Sequence, residues 1–356
     1  MKVLLLSKYP RQGASSRLRS LQYLPALAEE GIEVVVQSLF DEQYLHALYA
    51  QGERPWMRSL GLYLRRLLWL PSAVRYDLIW LEKELFPYLP ATCERLLSMF
   101  GVRYVVDYDD AIFHNYDLAG NRLLRKALGR KIDTVMARAH CVITGNDYLA
   151  SRAWQAGAVD VAVIPTVVDY RRYTPRPRVA DQPRVIGWIG SPSTQRYVIA
   201  IKDSLRAVCD RWDARLLLVG ATEDVVEQLA GIPVDVVPWR EDTEADTIAR
   251  MTVGIMPLVD GPWEKGKCGY KLIQYMASGV PVVASPVGVN IEIVRDSNCG
   301  RLAQTTAEWT AALQELLADS SVSDLLGRAG REAVEKHYSL QAQAPRLANI
   351  LKSTIK

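Results

Sequence analysis

The run EKGKCGYKLIQYMASG, residues 264–279, places lysines and glycines around the start of a short helix predicted over 270–278. The first backbone N–H groups of a helix have no partner within it, and they favour an anion. Lys267 stands just before that start and Lys271 lies in the first turn, the end of a helix where a cation is disfavoured. An anion held between them accounts for the placement; solvated surface charge is the ordinary alternative. Gly266 and Gly269 permit close approach of backbone to such a ligand. Gln274 shares a face with Lys271 and can either bond hydroxyls or line a domain interface.

Three further clusters carry chemistry. VRYVVDYDDAIFHNY sets Asp107, Asp109 and Asp110 at the end of an apolar run. Such acids can bind a metal, orient a hydroxyl, act as acid and base, or form a local Asx-turn. Too few companion ligands stand nearby for a metal cage, so no metal is expected. LIWLEKELFPYLP brings Glu82 and Glu84 to another strand exit, where Glu84 either meets acceptor hydroxyls or is a solvated loop acid. KYPRQGASSRLR leads through Gly13, Ser15 and Ser16 into a helix that carries Arg17 and Arg19 early. Either serine can cap that helix, or the group can hold a phosphate. Neither GxGxxG after the first strand nor GxxxxGK[ST] is present.

The elements that position these clusters alternate. KVLLLS reads as a strand buried on both faces, SRLRSLQYLPALAEEG as a helix ended by Gly31, and IEVVVQSL as the next strand. This β-α-β opening implies a parallel sheet. Further strands are predicted at 76–82, 102–108, 140–146 and 161–166. Residues 171–183, RRYTPRPRVADQP, hold three prolines and four arginines without periodicity and read as a linker. Strands resume at 184–190, 214–220, 232–239, 252–259 and 280–286, and the C-terminal part is helical. The expected division is an N-terminal domain 1–170, a C-terminal domain 184–340, and a last helix, 341–356, packing back on the N-terminal domain. Ligands of open α/β sheets bind beyond the carboxyl ends of the strands. Two such domains can present their loops to one site between them. At this level dehydrogenases, kinases and nucleotide-sugar enzymes all remain open.

Bulk properties narrow the classes. The 356 residues are 49% hydrophobic and 23% charged, ample for two cores and poor for disorder. A net charge of +3 is too weak to argue for a nucleic-acid partner. The scattered cysteines Cys93, Cys141, Cys209, Cys268 and Cys299 form no CxxC pair, which favours a reducing, cytoplasmic setting. MKVLLLSKYP is too short for a signal peptide, and no run of about 18 apolar residues predicts a membrane span. Residues 54–75 contain five arginines and no acid, with Trp56, Met57, Leu60, Tyr63, Leu64, Leu67 and Leu68 at helical spacing. Residues 122–138 are basic as well, opposed only by Asp133. The 54–75 stretch can lie on an anionic membrane surface, on the inner face of the cell membrane, or be a docked helix with a basic outer side.

Across nearly its whole length the chain resembles the retaining GT-B glycosyltransferases of family 4, or group 1. GYKLIQYMASGVPVVASPVG is similar to that family's KLLEYMA-x-G-x-PVVA segment. The stretch from CVITGN to VVDYRRYTP resembles the family's "IPNGVD" region, with Ile164, Asp169 and Tyr173 in place. GWIGSPSTQRYV sits where the family opens its donor domain. The resemblance implies two Rossmann-like domains facing across a cleft, and a nucleotide-sugar donor without cofactor or metal. It implies that Gln274 meets the ribose and that Cys268 and Gly269 form a phosphate-binding turn, with Cys268 a small filler. The family's diphosphate-binding arginine and lysine have no direct counterparts; Ser191, Thr194 and Arg196 stand in that loop, with Lys267 expected to take over part of the duty. Of two family glutamates, one position holds Gly266, with Glu264 nearby, and the other holds Gln274. The acid that meets the transferred sugar or acceptor falls best on Asp110, then Asp109, then His114.

The expected activity is transfer of a sugar from a nucleotide diphosphate to the hydroxyl of a carbohydrate or lipid-linked glycan. The alternatives are an epimerase or phosphorylase of the same fold, and a non-catalytic sugar- or nucleotide-binding protein.

Overall fold

The computed structural model describes residues 1–51, 55–175 and 183–355. Most of the expected linker, 176–182, and Arg54 of the basic stretch lie outside the described residues. The chain divides into two compact units. One comprises Met1–Thr166 with Gly266–Cys268 and Leu340–Lys356; the other comprises Val167–Lys265 and Gly269–Ser339.

The first unit is built on β1 (Lys2–Ser7), β2 (Glu33–Ser38), β3 (Leu78–Glu82), β4 (Tyr104–Tyr108), β5 (Cys141–Thr144) and β6 (Val161–Val163). They form one sheet in the order β2-β1-β3-β4-β5-β6, every pairing parallel. Val3, Leu4, Leu5 and Leu6 are all buried, as strands covered by helices on both faces must be. Chain direction across the sheet reverses between β1 and β3. Loops leaving neighbouring strands diverge there and open a crevice at the carboxyl ends.

The helix expected after β1 is three pieces: Ala14–Arg19, a 3-10 turn Leu21–Tyr23, and Leu24–Glu29. Ser20 leaves helical geometry and its hydroxyl donates back to the Ser16 carbonyl (2.8 Å). Pro25 then suits a new first turn, where its missing N–H costs nothing. Gly13, not Ser15 or Ser16, is the N-cap.

The second unit holds β7 (Arg184–Ile189), β8 (Ala214–Val219), β9 (Val234–Val237), β10 (Val253–Met256), β11 (Val282–Ala284) and β12 (Gly300–Leu302). Their order is β12-β11-β10-β7-β8-β9, again parallel, and it reverses between β7 and β10. Alternate residues of β7 feed opposite cores: Trp188 packs with Leu216 and Trp309, Ile189 with Leu272 and Met276. β12, absent from the sequence reading, is a three-residue strand beginning on a glycine.

Helices Thr306–Ala318 and Ser320–His337 follow, and Leu340–Ser353 closes the chain. Within the first unit, Lys352 pairs with Glu30 (2.7 Å) and Arg346 donates to the Val163 carbonyl (3.3 Å). Among the described residues, no helix is long and apolar enough to cross a membrane.

Candidate functional site

In the second unit the residues of interest gather where β7 and β10 leave the sheet. The Tyr275 hydroxyl ties these strands together at the point of reversal, accepting from the Ile189 N–H (3.0 Å) and donating to the Ile255 carbonyl (3.3 Å). Beyond β7, Ser191 and Thr194 close on themselves: the Ser191 N–H donates to Thr194 Oγ1 (3.3 Å), which donates to the Ser191 carbonyl (3.0 Å). Arg196 is exposed and donates to the Tyr197 hydroxyl (3.0 Å), and Tyr197 in turn bonds Glu264. Glu264 is buried in that contact, with Arg196 3.8 Å away. It therefore anchors the arginine's loop instead of projecting as an open carboxylate.

Beyond β10 the chain reaches Gly269, in the left-handed region at φ +65°, and turns into helix Tyr270–Ala277. A Cβ there would come 2.4 Å from Ile293 Cδ1, so a side chain would have to displace that isoleucine as well as adopt the left-handed backbone. The helix ends one residue earlier than predicted. Lys271 lies over the Trp188 ring, its ammonium 5.2 Å from the centroid. Gln274 is buried; its amide donates to the Tyr173 hydroxyl (3.4 Å), which donates to Glu244 (2.7 Å). The Trp239 indole N–H donates to the other oxygen of Glu244 (2.6 Å). A buried carboxylate thus backs the glutamine through a tyrosine, a connection invisible in sequence.

In the first unit the exits of β1, β3 and β4 carry a network of charges. The register pairing Glu82 with Asp107 sets the two exits side by side. Arg19 is buried and donates to Asp107 (2.8 Å) and to the Ile164 carbonyl (2.8 Å). Ser16 donates to Glu82 (2.6 Å) and accepts from the Tyr9 N–H (3.0 Å). Ser15 donates to Asp109 (2.6 Å), and Arg17 reaches the Arg11 carbonyl (3.2 Å). The sequence-predicted group Gly13, Ser15, Ser16 and Arg17 therefore organises this loop against the acids.

Sequence reasoning missed Lys83. It is buried at the exit of β3 with φ +65°, unusual for any residue but glycine. Its ammonium lies 2.7 Å from Asp109 and 3.9 Å from Asp110. Burial works to raise the Asp109 carboxyl, but Lys83, Arg19 and the hydrogen bonds from Lys83 and Ser15 outweigh it and hold it below the usual range. Asp110 moves the other way, pushed up by burial and by the Asp109 charge against Lys83, Lys267 and Lys8. Among the described residues no group of three or more His, Cys, Asp or Glu side chains is arranged to hold a metal ion.

Gly266–Cys268 belong to this unit. Asn146 donates to the Lys267 carbonyl (2.9 Å), and the Cys268 thiol donates to the Asp109 carbonyl (3.1 Å). Burial drives that thiol far above its ordinary value, so it fills space and is no nucleophile. Two further candidates are already engaged by neighbours. Both His114 ring nitrogens are engaged, by Asp117 and Tyr148 (2.8 Å each). Glu84 is no open loop acid, since it is buried against Lys131 and the Tyr116 hydroxyl.

A second surface lies on helix Trp56–Trp69 of the same unit. Trp56, Met57, Leu60, Leu64, Leu67 and Leu68 are 48–73% exposed and share one side. Tyr63 departs from that stripe and donates to the Pro87 carbonyl (2.9 Å). Arg66 points inward, fully buried, onto the Ser7 and Gln37 carbonyls (2.6 and 2.7 Å). Arg58 pairs with Asp41 (2.6 Å) at the flank. An apolar stripe therefore looks outward, with Arg58 and Arg65 exposed beside it.

Residues 183–319 match the protein-family model described as Glycosyl transferases group 1. A phosphatidyl-myo-inositol mannosyltransferase of Mycobacterium leprae (strain TN) is 28% identical over 201 residues, 52% of this chain and 53% of that protein. The chain thus matches only about half the length of this curated relative. Among solved structures, sucrose-phosphate synthase from Thermosynechococcus elongatus superposes with a TM-score of 0.74 at 18% identity, covering 99% of this chain and 98% of that one. Anabaena HepE in complex with UDP gives 0.73 at 18% identity, covering 99% and 100%. These likenesses extend over both units, each a Rossmann-like α/β domain.

Proposed function

We propose that this chain, a GT-B-fold protein related to the group 1 glycosyltransferases, transfers a sugar from a nucleotide-diphosphate donor to an acceptor hydroxyl. The observation that carries the reading is the exit of β7 and β10. A doubly wound parallel sheet reverses there beside the left-handed Gly269 and the helix that follows it, within the segment that matches the family model.

In this reading the second unit holds the donor. Arg196, Ser191, Thr194, Lys271 and the Gly269 amide serve the diphosphate and Gln274 serves the ribose; Lys267 and the Cys268 amide, carried by the Gly266–Cys268 segment of the first unit, are assigned to the diphosphate by the same reading. Charge grows on the departing diphosphate as the sugar C1–O bond breaks, and fixed cations and N–H groups stabilise it. Asp110, with Asp109 behind it, meets the transferred sugar or the acceptor. On a front-face route, which uses no protein nucleophile, the acceptor oxygen attacks C1 from the face the diphosphate leaves. The acceptor proton passes to a diphosphate oxygen. The products are a nucleoside diphosphate and a glycoside of retained configuration.

The acceptor is a carbohydrate or a lipid-linked glycan of cell-surface synthesis. The outward apolar side of helix Trp56–Trp69 supports work at the inner face of an anionic membrane. The name of the M. leprae relative, which pairs mannosyl transfer with a phosphatidylinositol, points the same way.

Thermal shift against a panel of nucleotide sugars, beginning with UDP sugars because HepE binds UDP, followed by product analysis, tests the reading. Binding and turnover are expected with one donor class, and Lys267→Ala should cut turnover sharply at saturating donor. No binding to any nucleotide would sink the proposal. Binding without turnover across all acceptors would favour a non-catalytic sugar-binding protein.

A further inference from the structure

Lys83 is the residue of the first unit whose placement most needs an explanation. A lysine gains nothing locally from a left-handed backbone, and such strain persists only where surroundings impose it. Here the surroundings are acids. Lys83 N–H donates to the Asp107 carbonyl (3.0 Å), which fixes its backbone against β4. Its side chain, 7% exposed, then meets Asp109 at 2.7 Å and Asp110 at 3.9 Å.

The two aspartates are not equivalent. Asp109 is 14% exposed and also accepts from Ser15 (2.6 Å). Asp110 is 33% exposed and touches Lys83 only at the longer distance. We propose that Lys83 is a positioning residue that separates the roles of these neighbours: it clamps Asp109 as a fixed buried carboxylate and leaves Asp110 as the acid presented to a substrate hydroxyl. The groups facing this pair are Lys83 and Glu82 from β3 and its exit, Lys8 from the exit of β1, Arg19 from the following helix, Lys267 and the Cys268 thiol. Of these, only Lys83 makes an ion pair with both aspartates among the described residues.

The inference rests on the transferase reading for what Asp110 meets, but not for how the acids divide. Carboxyl titration by NMR on the full unliganded chain, with 13C-labelled aspartate, separates the two questions. Asp109→Asn keeps the shape while removing the like charge and freeing Lys83. Asp110 should then titrate lower by at least about one unit, the effect expected of an opposite charge within a few ångströms. Lys83→Met should move the pair's midpoint up by a similar amount, and Lys83→Arg should largely restore it. If transfer is detected, the acid limb of kcat/KM should follow these shifts, which a merely structural lysine would not produce. Asp110 titrating in Asp109→Asn as it does in the wild type would overturn the proposal, and this holds even if Lys83→Met fails to fold. A chain with normal titrations but no transfer would instead defeat the functional reading.

Discussion

Arg19 and Asp107 show how far residue chemistry is decided by what surrounds it. Read along the chain, Arg19 is a cation near a helix start. In the fold it is buried, with one bond to Asp107 and another to the Ile164 carbonyl. Breaking such a pair strands a buried charge, which costs about 3–5 kcal/mol. Arg19→Met should therefore lower unfolding free energy by that order in urea denaturation, while Arg206→Met, at an exposed arginine that donates to the Ala230 carbonyl, should lower it by much less. Asp109 gives a pH signature. Its folded carboxyl is held below the ordinary value of 3.8, so its contribution to stability is complete above that value and is lost as pH falls through the depressed one. The stability gap between wild type and Asp109→Asn should narrow as pH drops below about 3.9, and a gap independent of pH would exclude this ionic origin. Lys83 illustrates why such roles escape sequence reading. A lone lysine after a strand looks solvated, and its meaning depends on the β3–β4 register that brings distant acids beside it.

Elements were legible where their pattern was strong. Continuous apolar runs mark the central strands because parallel sheets bury both faces, and β1 has the predicted bounds. Short or interrupted elements were not legible: β12 has three residues, and Ser20 with Pro25 divides one amphipathic pattern into three pieces. The turn at Gly269 was legible as a need for glycine. At φ +65° and with Ile293 against the missing Cβ, Gly269→Ala should cost at least about 1–2 kcal/mol and weaken nucleotide binding more than Gly61→Ala, a position with nothing within 4 Å. Helix Trp56–Trp69 was legible as amphipathic but not in its orientation, because the inward turn of Arg66 is set by carbonyls at the ends of β1 and β2. With large apolar side chains outward, Leu64→Asp with Leu68→Asp should reduce co-sedimentation with anionic phosphatidylserine vesicles at least tenfold without lowering the melting temperature. Unchanged sedimentation would remove the membrane from the proposal.

At the scale of the molecule, each unit has its own parallel sheet with one point of reversal, and each reversal gathers a different chemistry. The first collects acids and buried cations; the second collects a left-handed glycine, a helix start and hydroxyls around an arginine. That contrast is why donor and acceptor duties are assigned to different units. It also makes the assignment testable without knowing the acceptor. A ligand that binds only the folded form stabilises what it touches, by about 2.7 kcal/mol at a hundred times its Kd. Saturating nucleoside diphosphate should therefore slow amide hydrogen exchange in the exits of β7 and β10 and in helix Tyr270–Ala277. The central strands β1, β3 and β4 should exchange at their unliganded rates, because their amides report opening of the first unit's own core. Protection centred on the exits of β1 and β3 would place the nucleotide among Lys8, Lys83 and the aspartates, and would reverse the roles of the two units.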